Sequence, residues 1–154
     1  MDLSSNRFGT PGERPEIVCL HGLLGSSRNW NGVARGLADR FAAATVDLPD
    51  HGASPWSDEP SIGAYAEVVE GWLARETSGP AVLVGHSLGG KVAMQVAFRA
   101  PERVAGLVVV DIAPRPYRGH QAEAIDALLE LPLAGLASRR EADEWLQARI
   151  SDWA

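Results

Sequence analysis

The stretch Gly85-His86-Ser87-Leu88-Gly89-Gly90 constrains this chain more than any other. It lies between the apolar run Ala81-Val82-Leu83-Val84 and the helix-like segment Lys91 to Arg99. The spacing predicts a strand, a sharp turn and a helix, with a serine at the apex of the turn. In that setting a G-x-S-x-G pattern lifts the serine hydroxyl above a sheet edge. The flanking glycines are required because the strand before and the helix after pass too close for a β-carbon.

Short β-rich runs alternate with helical periods over most of the chain, the pattern of a parallel sheet covered by helices. Glu16 to Leu20 reads as a strand ending at His21-Gly22. Trp30, Val33, Leu37 and Ala38 fall at helical spacing, and Ala42 to Leu48 forms a second strand stopped by Pro49. Ser61 can cap a helix reaching about Arg75, with Ile62, Tyr65, Val68, Val69 and Trp72 on its apolar face. The helix after Ser87 is apolar nearly all round, through Phe98, and is expected to be buried. Gly106 to Ile112 is a further strand, continuous in Val and Leu as expected when both faces are covered.

From about Gly119 the character changes. Ile125, Leu128 and Leu129 mark a short amphipathic helix, and Ser138-x-x-Glu141 is a capping box opening another. The expected division is therefore an α/β core over residues 1–118 and a helical excursion over 119–154.

Composition removes several function classes. The net charge of −6, with no Lys/Arg cluster, argues against nucleic acid or an anionic membrane surface as the partner. No apolar run approaches the ~18 residues a membrane span needs, and no signal-peptide h-region follows the polar opening. The one cysteine, Cys19, has no internal disulfide partner and is expected to be a buried reduced thiol, as in cytoplasm. No residue spacing indicates a metal, and no cofactor is expected. Oligomeric state leaves no mark in the sequence.

Function in a parallel α/β sheet collects at the carboxyl ends of its strands. Four such ends carry marked residues: His21-Gly22-Leu23-Leu24-Gly25, Asp47-Leu48-Pro49-Asp50-His51-Gly52, the Ser87 turn, and Asp111-Ile112-Ala113-Pro114. In this order they resemble the α/β-hydrolase fold. The phrases His21 to Ser27, Asp47 to Ser54, Gly85 to Met94 and Val109 to Pro114 are close in wording to a bacterial esterase and thioesterase subfamily. The resemblance runs from about residue 15 to 118 and more loosely beyond.

That resemblance implies a small-molecule ester or thioester as substrate and Ser87 as nucleophile, activated by an imidazole. The amides of Leu88 and Leu23 would hold the oxyanion. Leu23 can also be an ordinary turn residue. Asp111, 24 positions after Ser87, is the acid that the resemblance implies, or else a loop cap. Asp47 is expected to organise its own turn.

The order of the triad in this fold is serine, acid, histidine. Downstream of Asp111 the only histidine is His120, in a loop and not after a last core strand. His21 lies in the oxyanion loop, His51 in the turn after the second strand, and His86 is expected to point away from the serine. The chain resembles the front three-fifths of such a hydrolase, ending inside a helical cap. Loss of the histidine costs a serine hydrolase about 10⁶ in turnover. An intact oxyanion hole and pocket leave ~10³–10⁴ over water. Three readings stay open: a serine esterase lacking its base, an inert binding or assembly module with an exposed sheet edge, or another reaction on the same scaffold (perhydrolase, C–C hydrolase, lyase or acyltransferase).

Overall fold

A computed structural model of the protein describes residues 1–116 and 122–150. These fall into two compact units, Met1–Pro114 and Arg115–Ala154.

The first unit is a five-stranded sheet with the order β1-β3-β2-β4-β5. Strands β2 (Ile17–Leu20), β3 (Ala43–Val46), β4 (Ala81–His86) and β5 (Val104–Val110) are mutually parallel. In register, Leu20 faces Val46 on one side and Gly85 on the other, and His86 faces Val110. The carboxyl ends of the four parallel strands therefore share one edge. Strand β1 (Ser5–Phe8) pairs antiparallel with β3, an element the sequence pattern does not predict. Its sequence, Ser-Asn-Arg-Phe, has no apolar alternation, so periodicity carries no trace of it. Polar contacts hold it instead. Asn6 Nδ2 donates to Ser27 Oγ at 3.1 Å, and Arg7 pairs with Glu16 and Glu76 while lying 5.0 Å over the Trp72 ring.

A 3₁₀ turn (Ser27–Trp30) runs into helix α1 (Asn31–Leu37), which covers one face of the sheet. Its Ala34 packs with Ile17, Cys19 and Ala43. The opposite face carries α2 (Ile62–Glu76) and α3 (Leu88–Arg99). There Val18, Leu20, Val46 and Leu83 meet Val69, Trp72 and Leu73 of α2 and Val92, Ala93 and Val96 of α3. The hydroxyl of Ser61 accepts from the Ala64 amide at 3.1 Å, so α2 begins at the cap read from the sequence. The two helices are also joined by Arg99, which reaches Glu67 at 2.9 Å and Glu70 at 3.6 Å.

Two burial expectations are corrected. Phe98, on the side of α3 away from the sheet, is 83% exposed. Strand β5 is only partly covered, with Leu107 40% and Val108 47% exposed. Among the described residues β4 is its one strand neighbour, so β5 is the sheet's edge. A continuous Val/Leu run records what a strand can bury, not what is present to cover it. Cys19, on the central strand β2, is fully enclosed, and burial pushes its thiol up to about 11.

In the second unit, α4 (Ala122–Leu129) and α5 (Arg139–Gln147) pack on each other, with Ala127 and Leu146 buried. The Ser138 hydroxyl accepts from the Glu141 amide at 3.3 Å, the capping contact the sequence predicts. His120 lies outside the described residues.

Candidate active site

Ser87 is the residue at which β4 becomes α3, and its backbone sits at φ 49°, ψ −111°. A serine held at positive φ is strained, at a cost of order 1–3 kcal/mol that the surrounding structure must meet. That structure is visible. The Ser87 amide donates to Val110 O at 3.0 Å, Lys91 N donates to Ser87 O at 3.1 Å, and Gly89 N donates to His21 O at 3.0 Å. A β-carbon on Gly85 would fall 2.3 Å from Gly89 O, and one on Gly89 would fall 2.5 Å from Leu20 O. Both are backbone collisions, so the glycines are fixed by the crossing of strand and helix. Leu88 is the first residue of α3, and the amides that open a helix have no partner within it.

The loop after β2 brings Leu23, 44% exposed, to the same edge, and Leu24 beside it is at φ 59°. Asp111 follows β5 at φ 54°, with a carboxylate 88% exposed. The fold thus brings Ser87, Leu88, Leu23 and Asp111 to the carboxyl edge of one sheet. Beside them opens a cleft of about 310 Å³ lined by His21, Gly22, Leu23, Gly25, Asn29, Trp30, Val33, His86 and Val110.

Asp47 is occupied structurally. It accepts from the amides of Ser27 at 2.5 Å and Ala53 at 2.9 Å. Burial alone would raise its pKa, but these donations outweigh burial and hold the carboxyl below its ordinary range. A β-carbon on Gly52 would strike this carboxylate at 2.3 Å.

The histidines differ in what their ring nitrogens already do. His21 is buried, with Nε2 accepting from the Leu48 amide at 3.0 Å and Nδ1 placed 2.8 Å from Gly22 O. Those partners fix a neutral ring with the proton on Nδ1. Burial is the main reason its pKa is lowered, and both nitrogens are committed. His51 places Nδ1 2.8 Å from Pro49 O, and its ring meets His21 at a tilt and Tyr65 edge-on. His86 departs from expectation. Its ring lines the cleft, and Nε2 lies 3.9 Å from the Asp111 carboxylate.

Asp50 organises the site edge in a way the sequence reading missed. At φ 66°, it accepts from Ser57 N at 2.5 Å, Ser57 Oγ at 2.7 Å and the Tyr65 hydroxyl. Nothing in the Asp50-His51-Gly52 wording points to Tyr65, fifteen positions away on a helix. Among the described residues, no cluster of three or more His, Cys, Asp or Glu side chains is placed to hold a metal ion.

Residues 15–147 match the family model for the alpha/beta hydrolase fold. The chain belongs to the alpha/beta hydrolase family. Within it, the chain is 43% identical over 116 residues to an sn-1-specific diacylglycerol lipase of Mus musculus, covering 74% of this chain and 38% of that one. It is 36% identical over 132 residues to lipase LipV of Mycobacterium tuberculosis, covering 86% and 50% respectively. A solved marine microorganism esterase superposes with a TM-score of 0.87 at 30% identity, over 98% of this chain and 59% of that one. This alpha/beta hydrolase chain thus spans about half the length, or less, of the curated relatives it matches. Among its described residues no helix is long and apolar enough to cross a membrane.

Proposed function

We propose that the chain carries the nucleophile, oxyanion amides and acid of a serine hydrolase that cleaves carboxylic esters or acyl thioesters. The Ser87 hydroxyl attacks the acyl carbon, and the amides of Leu88 and Leu23 receive the negative charge on the carbonyl oxygen. The leaving group departs with a proton, and water then releases the acyl group from Ser87. Asp111 orients and stabilises an imidazolium. In the family pattern that imidazole follows a strand later in the sequence than β5.

The observation that carries this reading is the positive-φ serine at the junction of β4 and α3, with the first helical amide beside it. Support also comes from the names of the relatives, which are lipases and an esterase. The apolar side chains of Leu23, Trp30, Val33 and Val110 along the cleft suit an apolar acyl group. A single enclosed thiol fits a reducing compartment such as the cytoplasm.

A fluorophosphonate probe tests the proposal. The expected result is covalent labelling of the 154-residue chain that disappears in Ser87→Ala. Absence of labelling, or labelling that survives Ser87→Ala, would overturn it. One observation favours a second reading, a non-catalytic assembly module: the partly exposed β5 edge with Leu107 and Val108. Such a module would leave the probe unreacted.

A further inference from the structure

We propose that a recess at the amino edge of the sheet, opposite the active site, binds the phosphate group of a small soluble phosphate ester between Arg14 and Arg40. The proposal does not depend on the role of Ser87.

The backbone builds the recess. The segments leading into β2 and β3 are tied where the Ile17 amide donates to Ala42 O at 3.0 Å. At the end of α1 the amides of Arg40 and Phe41 both donate to Leu37 O at 3.0 Å, which turns the chain toward β3. Gly9 lies at φ 68°, and a β-carbon there would stand 2.4 Å from Phe41 O and 2.7 Å from Ala38 O. The 9–16 loop is therefore held directly against the 38–42 turn. Between them opens a cavity of about 290 Å³ whose lining includes Thr10, Glu13, Arg14, Arg40 and Phe41.

Its charges are unbalanced. Arg14 Cζ lies 5.2 Å from the centre of the Phe41 ring, and Arg40 Cζ lies 5.7 Å from the same centre. Phe41 itself packs on the buried Ile17, Cys19, Ala34 and Ala43, so an anchored ring positions both guanidiniums. Among the described residues neither of them has a carboxylate at ion-pair distance, whereas Arg7, Arg75, Arg99 and Arg140 each do. Glu16 and Glu76, which line the adjoining cavity with Arg14, are engaged by Arg7. Glu13 is the one carboxylate lining the recess, and it faces two guanidiniums.

Two like charges drawn to one ring repel each other, and an anion between them removes that repulsion. Contact with a ring leaves guanidinium N–H groups able to donate, and the planar fork fits phosphate oxygens. The Thr10 hydroxyl adds a further donor at the lining. A concave site suits a free phosphate ester, and the net charge of −6 opposes an anionic membrane surface as its source.

Inorganic phosphate is the first probe, titrated into the 154-residue chain at constant ionic strength with chloride as the balancing anion. A saturable rise in melting temperature is expected. Arg14→Gln and Arg40→Gln are each expected to weaken the half-saturation point by about tenfold or more, as loss of one charge-assisted contact requires. Arg28→Gln, which removes an equal charge from the turn before α1, is expected to keep the unaltered response. In the unaltered chain, phosphate is expected to shift the Nε–H resonances of Arg14 and Arg40 and not that of Arg28, a reading that needs no variant. Glycerol 3-phosphate is expected to act as phosphate does, and vesicles containing phosphatidate are expected not to retain the chain. The absence of a saturable rise overturns the proposal. So does a rise that both glutamine variants at positions 14 and 40 keep, or resonance shifts as large at Arg28. Retention on phosphatidate vesicles without a response to free phosphate overturns the small-molecule assignment.

Discussion

The Tyr65 hydroxyl on α2 donates to the Asp50 carboxylate in the turn after β3, and with the His51–Tyr65 ring contact it ties the covering helix to the site edge. Its effect is seen on both partners. Burial, then the Asp50 hydrogen bond and its charge, push the Tyr65 phenol up to about 12. Asp50 itself is held below the ordinary range because donation from Tyr65 and Ser57 outweighs what burial would do.

Tyr65→Phe removes that donor while keeping the ring in the core. Hydrogen bonds to charged groups contribute about 1.5–3 kcal/mol, and partial exposure of Asp50 places the loss at the lower end. Chemical denaturation is expected to show a lower midpoint with an unchanged slope. A midpoint matching the unaltered protein would mean the contact is energetically idle.

Acid is expected to weaken the fold in two stages. His21 has a pKa lowered from 6.5 by burial, so the unfolded chain takes up a proton there that the folded chain resists. Stability tied to His21 is full above that value and is lost as pH falls through and below it. Asp47 and Asp50 are lowered from 3.8, so their contribution is full above that value and fades as pH drops below it. Melting temperatures taken from pH 8 to pH 2 should show both declines. His21→Gln should flatten the upper decline and leave the lower one in place.

Ser87→Gly relieves the backbone at φ 49°. Glycine tolerates positive φ but adds freedom to the unfolded chain, which offsets about 0.4–1 kcal/mol of the gain. A net stabilisation of about 1 kcal/mol is expected, with all probe labelling lost. A lower melting temperature in this variant would show that the turn stores no strain.

Gly89→Ala has the opposite effect. The new methyl would meet Leu20 O at 2.5 Å and His21 O at 2.6 Å, and neither backbone atom can turn aside. Overpacking costs typically 1–3 kcal/mol, and a backbone obstacle puts this substitution at the upper end. Thermal unfolding measures it directly.

The four parallel strands and the Ser87 turn were legible because apolar runs, breaker residues and glycine spacing all point the same way there. Ser61 and Ser138 marked their helix starts because a capping hydroxyl acts within three residues. What escaped was non-local. Strand β1 is held by side-chain polar contacts to residues far beyond its own turn of chain, such as Asn6 with Ser27 and Arg7 with Glu76. Asp50 finds Tyr65 only once α2 has packed. Its place just before Ser87 predicts that His86 points away from the nucleophile. It is the last residue of β4, where the backbone is already leaving that alternation for the strained serine, and its ring reaches toward Asp111.

The sealed sulfur of Cys19 makes the molecule its own sensor. With no exposed surface and a proton held to about 11, the thiol is silent toward alkylating reagents while β2 stays between its neighbours. Any reaction there counts an opening of the sheet's centre, so maleimide uptake over time reads global unfolding without an added reporter.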